Sequence, residues 1–275
     1  MLRPMNLQGW YPFSKEQCIK EIQKLINPDL FIEGRIPVAA VVPHAGWYFS
    51  GHLAVNCIRI LKEKNGLIKN VVIFGGHLSE VNLAVFETFE KAQTPLGELA
   101  SNRDIIDLFR SEDKVQFIDY LEDNTIEVLL PIVHYFFGSS IKINAIYLPP
   151  HIKITGIIDK ISGILDKNTV FIGSTDLTHY GPNYSFTHND KKITAVDWVK
   201  NINDKNYIAH LVDMNEAESI AYAIKNKSAC SAGAALGAML AAKKRGVKKG
   251  ELLGYSTSYD KHKDTSFVGY TGILY

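Results

Sequence analysis

Strand-like and helix-like hydrophobic patterns alternate along almost the whole of this 275-residue chain. Short apolar runs at 38–42, 71–74 and 170–172 have the length and the β-branched content of buried strands. The segment 14–26 instead spaces its apolar side chains as a helix does, behind Ser14 as a predicted N-cap. This alternation predicts an α/β fold, a single domain with a central mixed, mostly parallel sheet flanked by helices.

The same patterns predict the remaining elements. Further helices are expected at 50–62, 102–109, 125–137, 156–165, 190–201, 217–224 and 230–244. Further strands are expected at 70–74, 83–89 and 143–148, and at 252–256 and 266–274 as an antiparallel pair at or near a sheet edge. Pro131 should kink or split its helix. Because no linker or repeat interrupts the pattern, we expect one domain over 1–275, with 181–227 as a helical insertion or cap.

Composition narrows the class of protein. A formal net charge of +1 gives no electrostatic case for binding nucleic acid. Three cysteines, an odd number without a CxxC pair, argue against a disulfide framework and for a reducing compartment. The N-terminus lacks a secretory pattern, and no apolar run is long enough to span a membrane. We therefore expect a cytoplasmic protein.

Polar residues follow three of the predicted strands at the point where each strand ends. His44 comes two residues after the first strand, and His77 follows a Gly-Gly pair after the second. Asp176 and His179 lie in a glycine-bounded loop after the third. Ligands of open α/β sheets bind outside the carboxyl ends of the strands, so these residues predict one polar site.

Cys230 is predicted to precede or begin a helix rich in small residues, where exposed amides would favour its thiolate. The alternative is that Cys230 is a small buried hydrophobic residue. With His44 and His77 it would form a mixed nitrogen and sulfur ligand set suited to zinc, iron or copper, with positions open for water or substrate.

Two acidic residues have competing explanations. Asp176 could orient a histidine ring while His179 serves as general base or acid, or it could merely cap a turn with His179 on the surface. Glu127 could bind substrate, although its place in the first turn of a helix capped by Thr125 also explains an acidic residue there. No partner is predicted for His52, His134, His151, His188, His210 and His262.

Together the motifs resemble those of the Memo-like proteins, called AmmeMemoRadiSam system protein B in prokaryotes. In chain order they are PHAGWY at 43–48, SG at 50–51, GGH at 75–77, IE at 126–127, LP at 130–131, STDLTHYG at 174–181, and Cys230. The resemblance extends from about His44 to the C-terminus.

The resemblance implies a fold similar to that of the class III extradiol dioxygenases, which use non-haem iron(II). By this likeness His44, His77 and Cys230 fall on metal-ligand positions, with cysteine where the dioxygenases use a carboxylate. His179 falls on the position of a catalytic histidine, with Asp176 beside it. The implied cofactor is one transition metal, iron(II) or copper, with zinc as the alternative. The implied partners are a radical-SAM protein and an AMMECR1-like protein.

Two positions depart from the family pattern. Asp123-Asn124-Thr125 stands where the family usually has Glu-His-Ser, so Asn124 replaces a histidine near the site. No proline follows the turn after Cys230.

The sequence supports three functions. The first is a Memo-like metal protein, redox-active or oxygen-using, acting on a small substrate. The second is metal-free catalysis with Cys230 as nucleophile, His179 as base and Asp176 as orienting group, in a hydrolase or transferase. The third is a non-catalytic module that binds a peptide or small molecule, with Trp47, Tyr48 and Tyr180 lining the pocket beside the polar centre, or packed in the core instead, which is favoured for Tyr48.

Overall fold

The structure is a computed structural model that describes residues 1–113, 115–189 and 192–275. The strands are β1 (Leu2–Arg3), β2 (Ala39–Val42), β3 (Asn70–Gly75), β4 (Ala84–Glu87), β5 (Lys91–Thr94), β6 (Gly97–Ser101), β7 (Val115–Ile118), β8 (Lys142–Tyr147), β9 (Thr169–Ser174), β10 (His179–Tyr180), β11 (Glu251–Thr257) and β12 (Phe267–Leu274). The helices are α1 (Lys15–Leu25), α2 (Trp47–Lys64), α3 (Arg103–Phe109), α4 (Asn124–Glu127), α5 (Leu130–Phe137), α6 (Thr155–Ile164), α7 (Ala195–Trp198), α8 (Asp204–Val212), α9 (Glu216–Asn226) and α10 (Ala232–Lys244).

These strands form one mixed sheet. Its order is β1-β5-β6-β8-β3-β9-β2-β12-β10, with β11 beside β12, and with β4 joining β7 to β8. The central strands β8, β3, β9 and β2 are mutually parallel. Strands β11 and β12 are the predicted antiparallel pair, and β12 continues antiparallel to β2. The α/β class and the mixed, mostly parallel centre are therefore confirmed.

Alternate residues of the central strands belong to two hydrophobic cores, because side chains of a strand point alternately to its two faces. Val71 and Ile73 of β3 pack into the core under α1, α2 and α5. Val72 and Phe74 pack into the other core, against α10 and the neighbouring helices. The parallel centre is thus covered on both faces, which is the usual condition of parallel sheets.

Helix α10 lies very close to the sheet because its first turn carries almost no side chain. A Cβ on Gly233 would collide with the backbone oxygens of Leu148 and Pro149, just after β8. This close approach fixes the start of α10, and with it the loop that carries Cys230, above the carboxyl ends of the central strands.

Several predicted elements differ from the observed ones. Helix α2 begins at Trp47 and not at residue 50, because its N-cap is Gly46, which offers no capping side chain to mark the start. The helix predicted at 125–137 is split into α4 and α5 just before Pro131, as expected for an internal proline. The N-cap of α4 is Asp123, not Thr125. Cys230 precedes α10 and does not begin it.

The sequence pattern did not predict several short elements. The hairpin β5–β6 has few apolar residues. Strand β7 and helix α8 were not predicted although apolar residues make up most of each. The helix predicted at 190–201 has two residues, 190 and 191, outside the described ones; its observed part is α7 and a π-helix at Val199–Asn203.

The segment 181–227 is helical in α7, α8 and α9, and Tyr207 and Leu211 of α8 pack into the core beside α10. Within the described residues, no helix is long and apolar enough to cross a membrane.

Candidate metal centre

His44, His77 and Cys230 converge at the carboxyl edge of the sheet. One ligand atom of each lies within 4.8 Å of the ligand atoms of the others. Nε2 of His44 lies 3.3 Å from Sγ of Cys230. The three side chains form a group that could hold a metal ion.

The His44 ring is oriented from two sides. Strand β2 ends two residues before it, and the His44 backbone N–H donates to Oδ1 of Asp176 at 2.8 Å. Its Nδ1 lies 3.0 Å from the hydroxyl of Ser174, at the end of β9. Nε2 is then the nitrogen that faces Cys230. A ligating histidine in a metal site is held in this way by a second partner on its other nitrogen.

His77 is oriented by a carboxylate. It follows Gly76, whose φ of +104° and tight packing against Tyr147 both require glycine. Nδ1 of His77 lies 3.0 Å from Oδ2 of Asp123. Because an ionised carboxylate only accepts hydrogen bonds, Nδ1 carries the proton and Nε2 is left for the site. Asp123 was not among the predicted site residues; its signal was its position, one residue before Asn124.

Asp123 and His77 stabilise each other's charge. The hydrogen bond to Asp123, followed by one to Cys230, raises the pKa of His77 to about 10 in the metal-free protein. Burial alone would raise the pKa of Asp123, but hydrogen bonds from His77 and Thr125 lower it to about 2. Thr125 also connects the start of α4 to the loop that carries His77, because its hydroxyl accepts a hydrogen bond from the Gly76 N–H at 2.9 Å.

The surroundings of Cys230 favour its thiolate form. Burial would raise its pKa, but the charge and hydrogen bond of His44, a hydrogen bond from His77 and the charge of His179 together lower the pKa well below 9.0. The backbone N–H of Asp176 donates to the sulfur at 3.3 Å. The thiolate is the form of cysteine that binds metals and acts as a nucleophile.

Asp176 is hydrogen-bonded to His44, and the charge of His179 also acts on it. The carboxylate is buried; it accepts from the His44 backbone, and its second oxygen lies 3.9 Å from His44 Nε2. Burial raises the pKa of Asp176, while the charge of His44 opposes that rise. In turn, burial lowers the pKa of His44, but Asp176 and Cys230 outweigh it and raise the pKa to about 8.

His179 has a defined orientation of its own. Its Nδ1 lies 3.1 Å from the backbone oxygen of Leu177. A carbonyl can only accept, so Nδ1 carries the proton and Nε2 of the neutral ring has a free lone pair. This geometry leaves His179 able to accept a proton from a molecule in the adjoining cavity.

A cavity of about 610 Å³ opens over the cluster, and His44, His77, Asp176 and His179 lie on its wall. Its volume is in the range of small-molecule sites. The cavity wall also includes Trp10, Phe49, Tyr184, Ser258, His262, Asp264 and Tyr270, which the sequence did not indicate. Asn124, at the departure from the family pattern, lies on the wall too and donates to the His44 carbonyl at 3.3 Å. Phe49 lies between two of the motifs, whereas Trp10 and the residues from 258 onward lie outside them.

Three residues predicted to bind substrate have other contacts. Trp47 is buried and its ring N–H donates to the Val128 carbonyl at 3.0 Å. Tyr180 packs against Phe267 at the far side of the loop. Neither is among the residues that line the cavity.

Glu127 is also buried away from the cavity wall. Its carboxylate accepts from the guanidinium of Arg3 at 3.2 Å, from the Asn6 and Leu7 amides at 2.7 and 2.8 Å, and from the Tyr11 hydroxyl at 3.0 Å. It therefore anchors the N-terminal segment, which then brings Trp10 to the cavity.

The donor set fits a transition metal. Two imidazole nitrogens and a thiolate are ligands of zinc, copper and iron, and three protein ligands leave a coordination position open. The open side is the one that the cavity occupies, and both imidazoles have a partner on Nδ1.

Comparisons with known proteins agree with this motif set. The Memo-like protein family matches residues 3–274. The MEMO1 family protein MK0963 of Methanopyrus kandleri is 31% identical over 97% of this chain and 95% of its own length. A MEMO1 family protein of Methanococcoides burtonii is 28% identical over 100% of this chain and 99% of its own.

Among solved structures, an uncharacterized protein of Escherichia coli has a related fold. Its TM-score is 0.53 at 10% identity, covering 87% of this chain and 99% of that one, so the likeness concerns the fold alone. Because the family model matches residues 3–274 and a family member is 31% identical over 97% of the chain, the chain belongs to the Memo-like family.

Proposed function

We propose that this protein is a metal-dependent oxidoreductase in which His44, His77 and Cys230 hold one iron(II) or copper ion. The observation that carries the proposal is the convergence of the three ligand atoms within 4.8 Å, beside a cavity large enough for a small substrate. The fold likeness to class III extradiol dioxygenases, in which an oxygen-using metal lies at the same kind of strand-end site, remains part of this proposal.

The choice of metal follows from the ligands. A thiolate beside two imidazoles suits copper or iron as well as zinc, so zinc is the alternative. When bound, iron or copper would supply one-electron and oxygen chemistry, whereas zinc would supply a Lewis acid. Metal binding would displace protons from His44 and His77, since both must be neutral to ligate.

The chain's own residues would orient the substrate and move protons. The free Nε2 of His179 would accept a proton from a substrate hydroxyl or amine in the cavity and later return it. Asp176 would keep His44 in place through its backbone bond. The rings of Trp10, Tyr184 and Tyr270 on the cavity wall would exclude water and contact apolar parts of the ligand.

The first experiment measures metal content by mass spectrometry after anaerobic purification and reconstitution. The samples are the native chain, His44→Ala and Cys230→Ser, with His210→Ala and Cys18→Ala as matched controls away from the cluster. We expect about one iron or copper per chain in the native protein and both controls, and none in the site variants. Stoichiometric metal in both site variants would refute the assigned ligands.

A second measurement separates redox from Lewis-acid chemistry. A copper or ferric ion bound to Cys230 should give a thiolate-to-metal absorption band that disappears on reduction and is missing in Cys230→Ser. A site that takes up only zinc from a mixture of the three metals would contradict the oxidoreductase proposal and favour hydrolytic chemistry.

A second candidate is metal-free catalysis by the Cys230 thiolate. The 3.3 Å contact with His44 and the lowered pKa of the thiol favour it. The base in this arrangement would be His44, with His179 further along the cavity wall. A protein that binds no metal after reconstitution, yet releases a burst of product from an activated ester, would support this candidate. The burst must be lost in Cys230→Ser.

A non-catalytic binding role and the partners implied by the family remain predictions. The aromatic cavity wall would suit a peptide or small-molecule ligand. Pull-down with a radical-SAM protein and an AMMECR1-like protein from the same genome tests the partners. The three free cysteines support a reducing, cytoplasmic setting.

A further inference from the structure

A buried carboxylate lies behind the loop that presents His179. Asp204, the first residue of α8, is 0% exposed. Oδ1 of Asp204 accepts from the backbone N–H of Thr178 at 3.1 Å and also from the Thr178 hydroxyl. Oδ2 accepts from the Tyr255 hydroxyl at 2.7 Å. Asp204 therefore binds both donors of the residue that immediately precedes His179.

The same residue, Thr178, is held on its other sides. Asn203 donates to the Thr178 hydroxyl oxygen at 2.9 Å, so that hydroxyl must donate its own proton to Asp204. The backbone of the loop is bonded to β12: the Gly269 N–H donates to the Thr178 carbonyl at 3.0 Å, and the Leu177 N–H donates to the Gly269 carbonyl at 2.8 Å.

Gly269 is required for this arrangement. A Cβ at that position would collide with Oδ2 of Asp204. Strand β12 thus leaves room for a carboxylate to reach the loop from α8. The Leu177 carbonyl, one residue before Thr178, is the acceptor that orients the His179 ring.

We propose that Asp204 is a positioning residue for His179, holding Thr178 so that the Leu177 carbonyl fixes the ring with Nε2 free for the cavity. The inference rests on the proposed function for the proton-transfer role of His179. Asp204 itself does not line the cavity wall, so it would act only through Thr178.

A purely structural role would not favour a carboxylate here. The partners found for Asp204 in the described part of the chain are two hydroxyls and a backbone amide, not a cation. Burial therefore outweighs these hydrogen bonds and raises the pKa of Asp204 to about 7. A neutral side chain would fill the space at a lower cost. What the carboxylate adds is an acceptor strong enough to hold two donors of one residue.

The test reads the His179 ring directly by NMR. The full chain, labelled with ¹⁵N-histidine and loaded with diamagnetic zinc, is recorded at pH 8, and the His179 signals are assigned with His179→Gln. In the native protein we expect one tautomer, protonated at Nδ1. In Asp204→Ala and in Thr178→Val we expect loss of that single tautomer, seen as a collapse of the separation between the two ring-nitrogen shifts.

Tyr255→Phe is the matched control. It removes a donor from the Asp204 oxygen that faces away from Thr178, so the single tautomer should persist. A native tautomer in folded Asp204→Ala and Thr178→Val would overturn the proposal. Where circular dichroism shows that Asp204→Ala has not folded, Thr178→Val decides alone.

The zinc content of the same samples distinguishes failure of the metal-binding proposal from failure of the proposed role of Asp204. We expect about one zinc per chain in every variant, because none of the changed residues is a ligand. Absence of zinc, and of iron and copper after reconstitution, from the native protein would refute the metal-binding proposal, while the tautomer result would still decide the role of Asp204.

Discussion

Nε2 of His44 lies 3.3 Å from Sγ of Cys230, although the two residues are 186 positions apart in the chain. Burial of the thiol raises its pKa and the neighbouring imidazoles lower it; the imidazoles have the larger effect, so the pKa of Cys230 lies well below its ordinary value. The site therefore favours the thiolate, the form in which cysteine binds a metal.

The state of Cys230 can be tested by alkylation of the metal-free protein. At pH 7 we expect iodoacetamide to modify Cys230 first, because burial raises the pKa of Cys18 to about 12 and also raises that of Cys57. Peptide mass spectrometry over time gives the three rates. His44→Ala should shift the reaction of Cys230 to higher pH. A Cys230 rate that climbs until pH 9, as for an ordinary thiol, would contradict the thiolate.

The role of Asp123 predicts an effect on metal affinity without loss of a ligand. Asp123→Asn turns an amide donor or a weaker acceptor toward Nδ1 of His77 while preserving the shape of the N-cap. Metal affinity should fall about 10–100-fold, as is usual when a ligand's hydrogen-bond partner is removed. Chelator competition measures it. Asp107→Asn, which breaks a surface pair with Arg110, is the control and should bind metal as the native chain does.

Gly233 and Gly156 form a matched pair of helical glycines. Gly233→Ala should shift the start of α10 and displace Cys230, because its Cβ would overlap the Leu148 carbonyl. Both metal content and thermal stability should fall. A Cβ on Gly156 would have no neighbouring atom within 4 Å. Gly156→Ala should therefore stabilise the protein by about 0.4–1 kcal/mol, because alanine makes the unfolded chain less flexible. Equal metal content in both variants would mean that the close packing of α10 does not position the thiol.

Glu127 should matter for stability and not as a ligand of substrate. Glu127→Ala removes four accepted hydrogen bonds and one charge partner of the buried Arg3, so the free energy of unfolding should fall by about 3–5 kcal/mol. Urea unfolding followed by circular dichroism measures the change. Glu98→Ala, which breaks an exposed pair with Lys91, should leave the midpoint unchanged. Similar midpoints for the two variants would show that the N-terminal anchor contributes little.

Asp204 predicts a pH-dependent gain in stability on neutralisation. An aspartate in the unfolded chain titrates near 3.8, but burial raises the pKa of Asp204 in the fold to about 7. The folded state therefore binds the proton more tightly, and native stability falls as pH rises from about 4 to about 7 before it levels off. Asp204→Asn should stabilise the protein more at pH 8 than at pH 5.

Urea unfolding at the two pH values measures this difference. Asp213→Asn, at an exposed pair with Lys249, is the control and should give the same small change at both. A gain for Asp204→Asn that is equal at pH 5 and pH 8 would mean that Asp204 titrates as an ordinary aspartate.

Much of the site could be predicted from short motifs, because the motifs follow strands whose carboxyl ends lie side by side in the sheet. His44, His77, Asp176 and His179 each follow a recognisable buried strand, and the carboxyl ends of parallel strands meet at one edge of the sheet. Strands β5 and β6 could not be predicted in this way, because they have few apolar residues. Helix α8 was not predicted although its buried Tyr207, Ile208 and Leu211 have helical spacing.

The α/β class, the family and the histidines and cysteine at strand ends and loop starts can be recognised from the chain alone, because they depend on local hydrophobic period and on short motifs. The hydrogen-bond partner of each group becomes known only from the folded structure: Asp176 with His44, Asp123 with His77, Glu127 with the N-terminal segment, and Asp204 with Thr178. The reason is physical. Hydrogen bonds between side chains far apart in the chain depend on how the helices pack on the sheet, and the local hydrophobic period does not specify that packing.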